Sequence, residues 1–109
     1  MLLRTTEFLW QEGHTAHAGE ADAMREPMLA LDLYVAVARE AAAMPVVAGE
    51  KTASERFPGA RRTFTVEGMM RDGRALQSGT SHYLGTNFAE AFGIQYAAES
   101  GELEYCHTT

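Results

Sequence analysis

The sequence has a single cysteine, Cys106, and only three prolines and one tryptophan among 109 residues. One cysteine cannot close an internal disulfide, which excludes the disulfide-stapled scaffolds common among small secreted proteins. No long apolar run and no signal-peptide pattern is present, so the sequence predicts a cytoplasmic chain with no membrane partner. Basic residues are also scarce. Nine Lys and Arg stand against fifteen Asp and Glu, for a net charge of −6. Non-specific grip on a phosphate backbone rests on clustered Lys and Arg, so these residues alone do not form a nucleic-acid-binding surface.

What remains is ordinary globular composition, 46% hydrophobic and 22% charged, without repeats or low-complexity runs. The length fits one domain, spanning residues 1–109, with a thin stability margin. From Arg4 to Glu12, RTTEFLWQE is rich in aromatic and β-compatible residues and reads as a strand. Period two then places Arg4, Thr6, Phe8, Trp10 and Glu12 on one face. Two aromatics bracketed by an arginine and a glutamate suit a ligand floor better than a purely apolar core row.

Residues 15–43 are Ala-, Leu- and Glu-rich, with Met24, Met28, Leu31, Val35, Ala38 and Ala42 at three- and four-residue steps. This predicts a long amphipathic helix, kinked at Pro27 or beginning near it, and ended by Pro45. Val46 to Lys51 reads as a short strand, Ser54 to Arg61 as a turn-rich connection, and Arg62 to Met70 as a long strand. Asp72 and Gly73 turn the chain into a return strand from Ala75 to about Leu84. Asn87 is the expected N-cap of a short helix, FAEAF, closed by Gly93. A last hairpin follows around Ser100 and Gly101. The expected fold class is α+β, a mainly antiparallel sheet carrying one long helix.

Three clusters carry chemistry: Arg4, Phe8, Trp10, Glu12 and His14; Phe57 in its turn; and LQSGTSH from Leu76 to His82. Phe8 and Trp10 have the alternative of being core aromatics, although Glu12 on the same face would then be a costly buried carboxylate. His14 and His17 form an HxxH pair, but a zinc site needs three or four ligands, so a structural or substrate-contact role fits better. Strict alternation puts Gln77 and Ser81 opposite Thr80 and His82. A bulge at Gly79 would bring Gln77, Thr80 and His82 together instead. Ser81 and His82 are strand neighbours facing opposite ways, which disfavours a hydrolase triad.

RTTEFLWQEGHTAHA, from Arg4 to Ala18, closely resembles the second strand of motif 2 in class II prolyl-tRNA synthetases of the archaeal and eukaryotic type. The likeness continues through LDLYVAVAREAAAMPVVAGEKTASERFPGA and TFTVEGMMRDGRALQSGTSHYLGTNFAEAFGI to HTT, and so covers essentially the whole chain. It implies a partial class II aminoacyl-tRNA synthetase catalytic core. Such a core activates proline, with ATP and Mg2+ as substrate complex, to prolyl-adenylate and transfers it to tRNA(Pro). The family usually works as a homodimer.

By the same resemblance, Phe8 stacks on adenine with Arg4 and Thr5 near the nucleotide, and Gln77, Thr80 and Thr109 also serve ATP binding. Trp10, Glu12, His14, Phe57 and His82 line the proline pocket, with Glu12 matched to the ammonium. If the first segment is a strand, Phe8 to Glu12 spans roughly 13 Å at about 3.3 Å per residue, enough to reach from base to amino acid. No protein nucleophile is implied, because the substrate carboxylate attacks the α-phosphorus.

The resemblance also implies that motif 1, the arginines of motifs 2 and 3 and the anticodon-binding domain lie outside these residues. A preorganised donor of that kind is worth about 3 kcal/mol, so the isolated segment is expected to adenylate negligibly. The rival readings are a synthetase-like module that binds a ligand or partner without catalysis, and a metal-dependent hydrolase using His14 and His17.

Overall fold

The computed structural model describes residues 6–109; Arg4 and Thr5 lie outside them. The elements run β1 (Ala16–His17), α1 (Glu20–Ala36), a π-helical turn (Val37–Ala41), β2 (Val46–Glu50), β3 (Arg62–Met69), β4 (Ala75–Tyr83), α2 (Asn87–Phe92), β5 (Gln95–Ala97), β6 (Leu103–Tyr105) and β7 (His107–Thr108). Every strand pairing is antiparallel, in three small sheets ordered β1-β7, β2-β3-β4 and β5-β6. The α+β class holds, with the long helix of the sequence reading packed on the three-stranded sheet.

Helix α1 places Glu20 and Asp22 in its first turn, where carboxylates meet the positive end of the helix dipole. Ala23, Pro27 and Leu31 recur at four-residue steps and are its buried residues. Below them Leu31, Ala38, Val46, Phe64 and Val66 form the core, flanked by Met24, Tyr34, Val35 and Met44. Burying side chains such as Phe64 and Val66 contributes about 1.5–3 kcal/mol each. Ser81 ties the sheet to the helix by donating its hydroxyl to the Pro27 carbonyl at 2.7 Å.

Gly79 is dictated by this packing. A Cβ there would sit 3.1 Å from the Tyr34 ring and 3.3 Å from Val66 Cγ2, so a side chain would hold helix and sheet apart.

Four expectations are corrected. Residues 8–15 form neither strand nor helix, so the strand read from Arg4 to Glu12 is not formed in its described part. A strand needs a ladder partner, and among the described residues backbone pairing begins only at Thr15, which exchanges hydrogen bonds with Thr109 next to the Ala16–Thr108 pair. The helix begins at Glu20 rather than Thr15, and its α-helical part ends at Ala36, before the π-helical turn. It neither starts nor stops at Pro27, which lies buried inside it. Finally, Thr86 rather than Asn87 is the N-cap residue of α2, with no side-chain cap bond, and the Asn87 amide donates to the Gly59 carbonyl at 3.0 Å.

Candidate functional site

Three cross-strand pairs build one polar face of the β3–β4 hairpin: Thr63 with His82, Thr65 with Thr80, and Glu67 with Gln77. The opposite face pairs Phe64 with Ser81 and Val66 with Gly79 against the helix. Strict alternation from Thr80 would have sent Gln77 to the helix side. The register instead jumps from Val66–Gly79 to Glu67–Gln77, leaving Ser78 as the extra residue of a bulge. The bulge read from Gly79 is therefore present one residue earlier, and it returns Gln77 to the face of Thr80 and His82.

The connection between β2 and β3 folds over this face. Its backbone turns through Ala60 N–H to Phe57 O at 3.0 Å. Gly59 adopts φ +89°, and a Cβ there would lie 2.9 Å from the Phe88 ring, so only glycine lets the loop rest on α2. Phe57 is thereby held with its ring centroid 4.8 Å from that of His82 and 6.3 Å from that of Phe88.

The result is a cleft of about 270 Å³ lined by Phe57, Gln77, Thr80 and His82, together with Lys51, Thr63, Glu55, Arg56 and Pro58. Lys51 donates to Gln77 Oε1 at 2.7 Å and lies 3.7 Å from Glu67 Oε1. His82 Nδ1 is 2.9 Å from Thr63 Oγ1. Burial, and then the positive charge of Lys51, push the His82 imidazole below its ordinary pKa, favouring the neutral ring. A second cleft of about 440 Å³ at the far end of the hairpin is lined mainly by Met44, Pro45, Met69, Met70 and Leu76. It gathers few polar groups, so the chemistry belongs to the first.

The structure thus brings together four of the residues singled out in the sequence, Phe57, Gln77, Thr80 and His82. Phe8, Trp10, Glu12 and His14 do not line this cleft; all four are exposed on the N-terminal arm, with Trp10 at 71%. Thr109 is bound to the end of that arm, its hydroxyl 2.5 Å from that of Thr15. His17 continues the chain, with Nε2 2.8 Å from Thr15 Oγ1 and Nδ1 2.7 Å from Asp22. His17 and Arg25 hold the Asp22 carboxyl below its usual range. Among the described residues no group of three His, Cys, Asp or Glu side chains is placed to hold a metal ion. No described helix is long and apolar enough to cross a membrane.

Sequence reasoning missed Lys51 and Thr63. The alternation of RTFTVEG already put Thr63, Thr65 and Glu67 on one face, which was the available signal for Thr63. In the sequence Lys51 reads only as the last residue of the short strand from Val46, and it lies one residue beyond β2.

No protein-family model matches the chain. Two curated relatives align over all 109 residues, a proline–tRNA ligase 2 of Rhodococcus jostii (strain RHA1) at 71% identity and a proline–tRNA ligase of Mycobacterium leprae (strain Br4923) at 61%. The chain spans 23% of the length of each. Among solved structures, prolyl-tRNA synthetase of Cryptosporidium parvum complexed with L-proline and AMP superposes with a TM-score of 0.90 at 44% identity, over 97% of this chain and 23% of that one. The same organism's enzyme complexed with halofuginone and AMPPNP gives 0.92 at 44% identity, over 97% and 22%. In sequence and in fold, the chain matches a segment of the prolyl-tRNA synthetase catalytic core.

Proposed function

We propose that the chain is a partial catalytic domain of a proline–tRNA ligase, and that the Phe57–His82 cleft takes the proline end of prolyl-adenylate. The observation that carries this reading is the convergence of Phe57, Gln77, Thr80 and His82 on one cleft. An aromatic pair suits the apolar pyrrolidine ring, and a neutral His82 does not repel the secondary ammonium beside it. Lys51 and Arg56 on the same cleft favour the anionic remainder of an adenylate.

Gln77 and Thr80 then serve the nucleotide side with Thr109, Phe8, Arg4 and Thr5. By the family resemblance Trp10, Glu12 and His14, exposed on the arm and outside this cleft in the segment alone, complete the proline pocket in the whole enzyme, with Glu12 opposite the ammonium. ATP enters as its Mg2+ complex, and tRNA(Pro) accepts the product. The whole enzyme works as a homodimer, and the segment alone adenylates negligibly.

Calorimetric titration with a non-hydrolysable prolyl-adenylate analogue tests the reading. The chain should bind it, and the Glu12→Ala, His82→Ala double variant should lose at least tenfold in affinity. Equal binding by both would overturn the assignment.

A further inference from the structure

Thr63 is only 1% exposed, and its hydroxyl meets two groups. It accepts the Phe57 backbone N–H at 3.2 Å, and it lies 2.9 Å from His82 Nδ1. The hydroxyl has one proton to place. If Nδ1 carried the hydrogen, Thr63 Oγ1 would accept from both neighbours and its own proton would be left in a buried position without an acceptor. An unsatisfied buried donor costs about 1–3 kcal/mol. If Thr63 donates to Nδ1 instead, the chain Phe57 N–H to Thr63 O–H to His82 Nδ1 satisfies every member.

We propose that Thr63 is a positioning residue that fixes His82 as the neutral tautomer with its hydrogen on Nε2, so that the cleft wall offers a donor and takes an oxygen acceptor from the ligand. His82 Nε2 makes no hydrogen bond to another described residue, which leaves its N–H free for that acceptor. Gln77 is oriented to the same effect. Lysine can only donate, so the 2.7 Å contact from Lys51 must fall on Oε1, and the amide NH2 is turned away from Lys51 as a second donor.

Protonating His82 would set an N–H against the Thr63 hydroxyl, a change that Lys51 also opposes. The charged groups around the ring are Lys51, Arg56 and Glu55. A carbonyl or carboxylate oxygen is the ligand chemistry this wall accepts. That the oxygen is the acyl oxygen of proline rests on the function proposed above; the tautomer does not.

The test is a long-range 1H–15N spectrum of the histidine rings at neutral pH, recorded on the protein at its natural length, with His82 assigned by its loss in His82→Gln. We expect a pyridine-type shift at Nδ1 and a pyrrole-type shift at Nε2. Thr63→Val should give averaged shifts from mixed tautomers, and Thr63→Ser should restore the single form. Averaged or reversed shifts in the unaltered protein overturn the proposal, as does an unchanged spectrum in Thr63→Val. If Thr63→Val fails to fold, the unaltered protein still decides. No proline is present in this measurement, so a failed analogue titration beside the expected spectrum would remove the proline reading and leave the tautomer standing.

Discussion

The N-terminal arm, residues 6–14, and the β3–β4 hairpin both set aromatic and polar side chains at alternate positions. In the hairpin, ladder bonds fix the alternation, and the apolar side is spent on the helix, so Thr80, His82 and their partners are forced onto the other side. The arm has no ladder among the described residues, and every residue from 6 to 14 is exposed. Alternation in a sequence therefore names the two sides of a strand, whereas a partner strand is needed before those sides become a surface.

The sharpest way to break this contrast is to remove one large side chain from each region. Phe64→Ala, in the core beneath the cleft, should cost about 3–5 kcal/mol in urea unfolding. Against a total stability of about 5–15 kcal/mol that is a large fraction. Trp10→Ala on the arm should stay within about 0.5 kcal/mol. A comparable loss from both would mean that the arm is packed like the hairpin.

A smaller effect should follow from crowding the helix–sheet contact. Gly79→Val forces a branched side chain against Tyr34 and Val66 and should cost about 1–3 kcal/mol by the same measurement. Loss of the Phe57–His82 ring contact in that variant, seen by NMR, would show that helix packing positions the cleft.

The smallest effect is a pH dependence confined to the hairpin. The folded His82 pKa lies below the unfolded value of about 6.5. The unfolded chain therefore binds its proton first as pH falls. Stability from this residue is fully present above that value and is lost as pH drops through it toward the lowered folded value. His82→Gln should flatten that part of the profile; an identical slope in the variant would assign it to another group.

Much of the hairpin side was legible beforehand. The apolar rhythm of RTFTVEG, the Asp72–Gly73 turn and the glycine in QSGTSH located both long strands and the bulge, because those signals are local. The arm was misread for a related reason: RTTEFLWQE carries the propensity of a strand, and propensity contains no information about whether a partner is present. Pro27 still lacks the N–H that a helix interior uses, but its ring lies on the buried face, where burial offsets part of that cost. The role of Thr63 was hidden because a threonine in a strand looks like any β-former until its opposite number is known.

The bulge at Ser78 makes the cleft a matter of counting. Ser78 is itself exposed and bonds only to the Leu76 carbonyl, at 3.4 Å, so many residue types could stand in its place. Paired regularly with Ser78 in place, the strand would turn Gln77 toward the helix and empty one wall of the cleft; the bulge absorbs that residue, so deleting it would restore regular pairing with Gln77 still beside Glu67 on the cleft face. Among natural variants of this segment, position 78 should therefore be free in identity, and a variant one residue shorter there should keep Gln77 on the cleft face.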